Sequence, residues 1–143
     1  MIIHPFRVYV AAPRVLAKAA ENLAIAVEAA CPGAVVIERW FEQDLPDSDD
    51  EFSVFDQCQV AIRQMEAVRS ADYFVFIRGT EANGSCIEYG MALAWIGPAR
   101  CFVLRSDAFE AKGSQFDRLA DGQGTSDASV VGAVARAMSR NYV

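Results

Sequence analysis

A chain of 143 residues can bury a core without disulfide or metal staples, and its length suits a single domain spanning 1–143. Hydrophobic residues make up 53% and charged residues 22%, the balance of a globular protein rather than a disordered one. The net charge of −6 and pI near 4.7 argue against a nucleic-acid polymer as partner, which would call for a basic face.

Cys31, Cys58, Cys86 and Cys101 are widely spaced, without a CxxC pair or a nearby histidine, so they read as buried reduced thiols and not as metal ligands. No metal or cofactor is expected. His4 is the sole histidine, so a Ser-His-Asp or Cys-His site would have to use that residue. The first residues lack a basic segment followed by an apolar one, and no apolar run approaches the ~18 residues of a membrane span. A soluble, cytoplasmic protein with no membrane partner is the expectation.

Phe6 to Ala12 is an apolar, β-branched and aromatic run ending at Pro13, which predicts a buried strand opening into a turn. Arg14 to Ala30 places Leu16, Ala20, Leu23, Val27 and Ala30 on one helical face, and Pro32-Gly33 stops it. Ala34 to Glu38 is a second strand, so the first three elements form a βαβ unit with parallel strands. Arg39 to Glu51 is an acidic loop that keeps Trp40 and Phe41 at its root.

Ser53 caps a predicted helix on which Phe55, Cys58, Ile62, Met65 and Val68 recur at core spacing. Tyr73 to Ile77 is the strongest strand signal, followed by the polar loop Gly79 to Gly84 and a helix carrying Glu88. Arg100 to Leu104 is a fourth strand. Ser106 to Thr125 holds either a mobile loop or a weak fifth strand, with Phe109 and Phe116 as anchors. Ser126 caps a last helix bearing Val130, Val134, Ala137 and Met138.

Strands alternating with helices predict an α/β fold: a three-layer, doubly wound parallel sheet of four to five strands, flavodoxin- or Rossmann-like. Ligands of such sheets bind at the carboxyl ends of the strands, near the switch in strand order. That rule selects the loops at Ala11 to Arg14, Arg39 to Glu51 and Gly79 to Ser85.

No GxxxxGK[ST] loop is present, and Ala11-Ala12-Pro13-Arg14 replaces the glycine-rich turn of a dinucleotide site. Chemistry concentrates instead in Asn83-Gly84-Ser85-Cys86-Ile87-Glu88-Tyr89-Gly90-Met91-Ala92, where Glu88 is the only charged side chain from Cys86 to Ile96. A carboxylate in apolar surroundings is costly unless paired or hydrogen-bonded. Ser85-x-x-Glu88 also fits a capping box, which would make both residues structural. Gly90 costs ~1 kcal/mol inside a helix and points to close approach by a backbone or ligand, or to tight packing on the sheet. Tyr9 places a phenol among apolar neighbours on the first strand, where a core tyrosine with a satisfied hydroxyl is the simpler alternative.

Val8-Tyr9-Val10-Ala11-Ala12-Pro13, Ser70-Ala71-Asp72 before Tyr73 to Ile77, Gly84-Ser85-x-x-Glu88-x-Gly90-x-Ala92 and Arg39-Trp40 together resemble the nucleoside 2-deoxyribosyltransferase family and its deoxynucleotide N-hydrolase relatives. The resemblance implies that Glu88 attacks the anomeric carbon of the sugar, that Tyr9 orients it, and that the helix N-terminus helps keep it ionised. It places Ala11, Pro13, Arg39, Trp40, Gly79, Gly84 and Ser85 around a small-molecule nucleoside or nucleotide, with Trp40 and Phe41 available to stack on the base. It also implies a homo-oligomer.

The chain departs from the family pattern at Ala82 and Gln64, where aspartates are characteristic, so proton delivery to the leaving base is unassigned. Glu81 and Asp44 are the candidates. Arg14, Arg39 and Arg78 at predicted strand ends, with Ser85 at a helix start, allow a substrate 5′-phosphate. The expected activity is therefore N-glycosidic cleavage or transfer; a nucleotide-sensing module that has lost catalysis is the alternative.

Overall fold

A computed structural model describes residues 5–43, 54–80, 84–106 and 115–140. Five strands, β1 (Phe6–Ala11), β2 (Ala34–Val36), β3 (Tyr73–Ile77), β4 (Cys101–Leu104) and β5 (Gly122–Gly124), form one sheet in the order β2-β1-β3-β4-β5. Every pairing is parallel. Helices α1 (Ala17–Ala30) and α4 (Asp127–Arg140) pack together, as do α2 (Val54–Ser70) and α3 (Gly84–Trp95). The result is the expected three-layer α/β arrangement with helices on both sides of the sheet.

The central strand explains itself chemically. All five side chains of β3 are buried, because a parallel strand covered by helices on both faces has no solvent side for polar residues. β1 follows suit from Val8 onward. At the periphery, β5 is the weak fifth strand, and it is built from Gly-Gln-Gly because α4 lies directly on it. A Cβ at Gly124 would sit 2.2 Å from Ser129 Oγ, and one at Gly122 would lie 3.0 Å from Ala133 Cβ.

Several boundaries differ from the sequence reading. The chain from Arg14 to Leu16 makes a 3-10 turn before α1 begins, and Ala30 is exposed. β2 stops two residues early: Ile37 N–H still donates to the Val8 carbonyl (2.9 Å), but Glu38 adopts φ +46 and turns the chain away. Trp40 then supplies its indole N–H to the Val10 carbonyl at 2.8 Å. Carbonyls two residues apart face the same neighbour in a strand, so the indole takes the ladder position that β2 vacates. Ser126 caps α4 as expected, accepting the Ser129 N–H at 3.2 Å, whereas Ser53 lies outside the described residues.

The α2 reading needs the largest correction. Of the described members of its predicted core stripe only Val68 is buried; Ile62 is 48% and Met65 43% exposed, Cys58 is exposed, and the Phe55 side chain lies outside the described residues. Gln57, Val60, Gln64 and Ala67 are half-buried in their place. Phe116, an expected anchor, is 55% exposed, and Phe109 lies outside the described residues. Cys31 and Cys101 are buried, Cys86 is half-buried, and all four cysteines are free.

Candidate active site

The strand order reverses direction between β1 and β3, which is where open parallel sheets bind ligands, at the carboxyl ends of the strands. Tyr9 on β1 and Glu88 on α3 meet at this point. Tyr9 has no solvent exposure and lies flat on Phe74, ring centroids 5.7 Å apart at 8°. Phe74, Tyr89 and Phe76 continue the layer, with Tyr89 stacked on Phe76 at 4.9 Å and 6°. This aromatic floor holds the Tyr9 ring so that its hydroxyl donates to Glu88 Oε2.

Electrostatics set the roles in that pair. Burial raises the Glu88 carboxyl from its ordinary 4.5 to about 7, opposed by the Tyr9 hydrogen bond, which favours the ionised form. Burial also pushes the Tyr9 phenol far above its ordinary range, aided by the Glu88 charge, the hydrogen bond and the Glu38 charge. Tyr9 is therefore a permanent donor, and Glu88 is poised near neutrality.

Ser85 is the second residue of α3, 5% exposed, and its Oγ has no hydrogen-bond partner among the described residues. The capping box is not formed: the serine hydroxyl is unpaired and the glutamate bonds to Tyr9. A buried, unsatisfied hydroxyl in the first turn of a helix is a ready donor to an anion. Gly84 precedes it and is exposed, and a Cβ there would meet nothing within 4 Å.

The β1 and β3 loops touch. A Cβ on Gly79 would lie 2.9 Å from Pro13 Cγ and 3.1 Å from Leu16 Cδ1, so glycine is what permits the contact. Ala11, Ala12 and Pro13 are buried along this seam. Gly90 is different: it is exposed with nothing within 4 Å of an added Cβ. Neither a close protein backbone nor tight packing on the sheet accounts for it. It lies on the outer face of α3 beside Ile87, 66% exposed, and Trp95, 45% exposed.

The residues expected beside the base are engaged with the protein. Trp40 is 5% exposed, edge-on to Phe41 at 5.5 Å and bonded to β1 through its indole. Arg39 pairs with Glu28 and Glu42, both at 2.7 Å, and stands over the Phe41 ring. Arg78 is 6% exposed and pairs with Asp117. Arg39 and Arg78 are thus occupied by internal carboxylates, whereas Arg14 is exposed. Gln64 is half-buried on α2; Ala82, Glu81 and Asp44 lie outside the described residues.

Two features escaped the sequence. Glu38 holds a left-handed backbone, uncommon for a residue with a Cβ and concentrated at functional sites, and its carboxylate accepts from Arg63 Nε at 2.8 Å. Asp117 is fully buried against Arg78. Neither a backbone dihedral nor a pairing across 39 residues leaves a local pattern.

No family model matches the sequence, and no curated protein is similar to it in sequence. A search of solved structures does find a relative: the Clostridium botulinum CMP N-glycosidase BcmB, at TM-score 0.54 and 16% identity, covering 96% of this chain and 99% of that one. The two share a fold. The likeness runs over nearly the whole of both chains.

Proposed function

We propose that the chain is a nucleotide N-glycosidase with Glu88 as nucleophile. The observation that carries this reading is the Tyr9–Glu88 hydrogen bond, buried at the switch point of the sheet. Ionised Glu88 attacks the anomeric carbon of the sugar, and the N-glycosidic bond breaks with its electron pair leaving on the base, which takes up a proton. Water then attacks the sugar–Glu88 ester, freeing the sugar and restoring the carboxylate. Tyr9 holds the carboxylate in line and stabilises its charge before attack. Ser85 and the first amides of α3 receive the 5′-phosphate, consistent with the fold shared with a CMP N-glycosidase.

The test is to incubate the protein with a panel of nucleosides and 5′-nucleotides, chromatograph for released base, and repeat with Glu88→Ala. Base release that persists undiminished in the mutant would overturn the Glu88 mechanism. Adding a second free base separates transfer from hydrolysis, since only a transferase forms the exchanged nucleoside. A second reading, a nucleotide-binding module without catalysis, is favoured by the amide of Gln64 and the methyl of Ala82 at positions where aspartates would serve. Tight saturable binding with no base release from any substrate would establish it.

The assembly proposed with this function is a homo-oligomer closed through α2 and α3. Ile62 and Met65 of α2 and Ile87, Gly90, Ala94 and Trp95 of α3 follow helical core spacing yet face outward, and a helix apolar on every side is ordinarily covered. Light scattering coupled to size exclusion should give more than one copy, and Met65→Glu with Trp95→Glu should shift it to the monomer. A wild-type monomer at assay concentration would refute the assembly.

A further inference from the structure

The Arg78–Asp117 pair takes no part in the chemistry above, yet it is the most deeply buried ion pair among the described residues, with side chains 7% and 1% exposed. Arg78 leaves β3 one residue past its end, its N–H donating to the Leu104 carbonyl at 2.9 Å. Its guanidinium reaches Asp117 through Nη2 and through Nε at 3.3 Å, lies over the Phe76 ring at 4.6 Å, and donates through Nη1 to Cys86 Sγ at 3.0 Å. Asp117 sits in the 3-10 segment Gln115–Leu119. The next-door Phe116 carbonyl accepts the Tyr89 hydroxyl at 2.7 Å.

Both ties end on α3, at Cys86 and Tyr89, on either side of Glu88. Burying two charges is not an efficient source of stability, since apolar side chains of similar volume commonly replace such a pair without loss. What the pair supplies is direction: a bidentate guanidinium and a fixed carbonyl set the rotation and depth of the helix. We propose that Asp117 is a positioning residue, which through Arg78, and together with the Phe116 carbonyl, holds the first turns of α3 so that Glu88 meets Tyr9. The catalytic consequence rests on the proposed N-glycosidase reading; the geometric one does not.

The titratable and charged groups around Glu88 are Tyr9 from β1 and, acting on Tyr9, Glu38 beyond β2, itself paired with Arg63 of α2. Tyr89 belongs to α3 itself, and Arg78, paired with Asp117, reaches the helix at Cys86. Loosening the helix would weaken the Tyr9 hydrogen bond, which favours ionised Glu88.

The experiment uses the full chain with the double replacement Arg78→Met and Asp117→Leu, and separately Tyr89→Phe. Glu88 is followed by the pH titration of its carboxyl carbon resonance, identified by its loss in Glu88→Gln. The double variant should unfold close to the wild-type temperature, titrate Glu88 at higher pH than wild type, and lower kcat about tenfold or more with KM little changed, as small misplacements of a nucleophile do. Tyr89→Phe should move the titration in the same direction by less. A folded double variant that titrates Glu88 as wild type does overturns the proposal; if the double variant does not fold, an unmoved titration in Tyr89→Phe overturns it. Absence of base release from wild-type protein defeats the N-glycosidase reading alone, because the titration still decides the positioning.

Discussion

Replacing Glu88 by glutamine should make the protein more stable at neutral and alkaline pH, and the size of the gain can be worked from the site. Burial raises the Glu88 carboxyl from 4.5 to about 7, so the folded state binds a proton more tightly than the unfolded chain. The contribution is fully favourable below the unfolded value, declines as pH rises from 4.5, and is lost once pH passes about 7. Above that point the folded protein carries a penalty of about 3 kcal/mol at most, since each tenfold difference in proton affinity corresponds to ~1.4 kcal/mol. Glutamine keeps the shape and accepts the Tyr9 hydroxyl but has no charge to desolvate. Urea denaturation at pH 5 and pH 8.5 reads the effect: near equality at the lower pH, and at the higher pH a gain of about 1–3 kcal/mol for the variant. A variant equally or less stable at pH 8.5 would show that Glu88 is not desolvated in the folded protein.

Tyr9→Phe removes the donor that favours ionised Glu88; a hydrogen bond to a charged group contributes about 1.5–3 kcal/mol, so the ionised fraction at neutral pH should fall about ten- to a hundredfold. The rising limb of the kcat/KM–pH profile should move to higher pH, and an unmoved limb would contradict the assigned role. Ser85→Ala should weaken 5′-nucleotides about tenfold or more while sparing nucleosides, and should not destabilise the free protein, because the hydroxyl lost has no partner among the described residues; equal losses for both substrate classes would refute phosphate binding there. Trp40→Phe leaves the Val10 carbonyl without its indole donor and should cost about 1–3 kcal/mol in denaturation midpoints.

The sheet was legible because its inner strands are fully covered. Tyr73 to Ile77 and the run from Val8 to Ala11 are apolar without alternation, and only a strand packed on both faces tolerates that. Glu88 was legible for the complementary reason, as a lone carboxylate in an apolar helix. Failure came where the same rule was read too literally. Cys58, Ile62 and Met65 repeat at core spacing, but periodicity reports only that a stripe avoids water, and this one faces away from the sheet. Gly90 is not packed on the sheet; the cost of a helical glycine does not say on which side its missing side chain matters. Ser85 and Glu88 matched a capping box in spacing, but Tyr9, 79 residues away from Glu88 in sequence, competes for the carboxylate, and a local motif cannot register that competition. Asp117 lay in a polar stretch with nothing to mark it until Arg78 closed on it.

The contact between Gly79 and Pro13 bears on how a ligand could enter. Two loops that meet with the Pro13 and Leu16 side chains directly on the Gly79 backbone behave mechanically as one body. The wall they form beside Tyr9 cannot hinge open at one loop while the other stays, so its shape is paid for during folding and not at binding. Adding a single methyl at Gly79 would act as a wedge, and its effect would be felt as a change in the width of the crevice before any change in its chemistry.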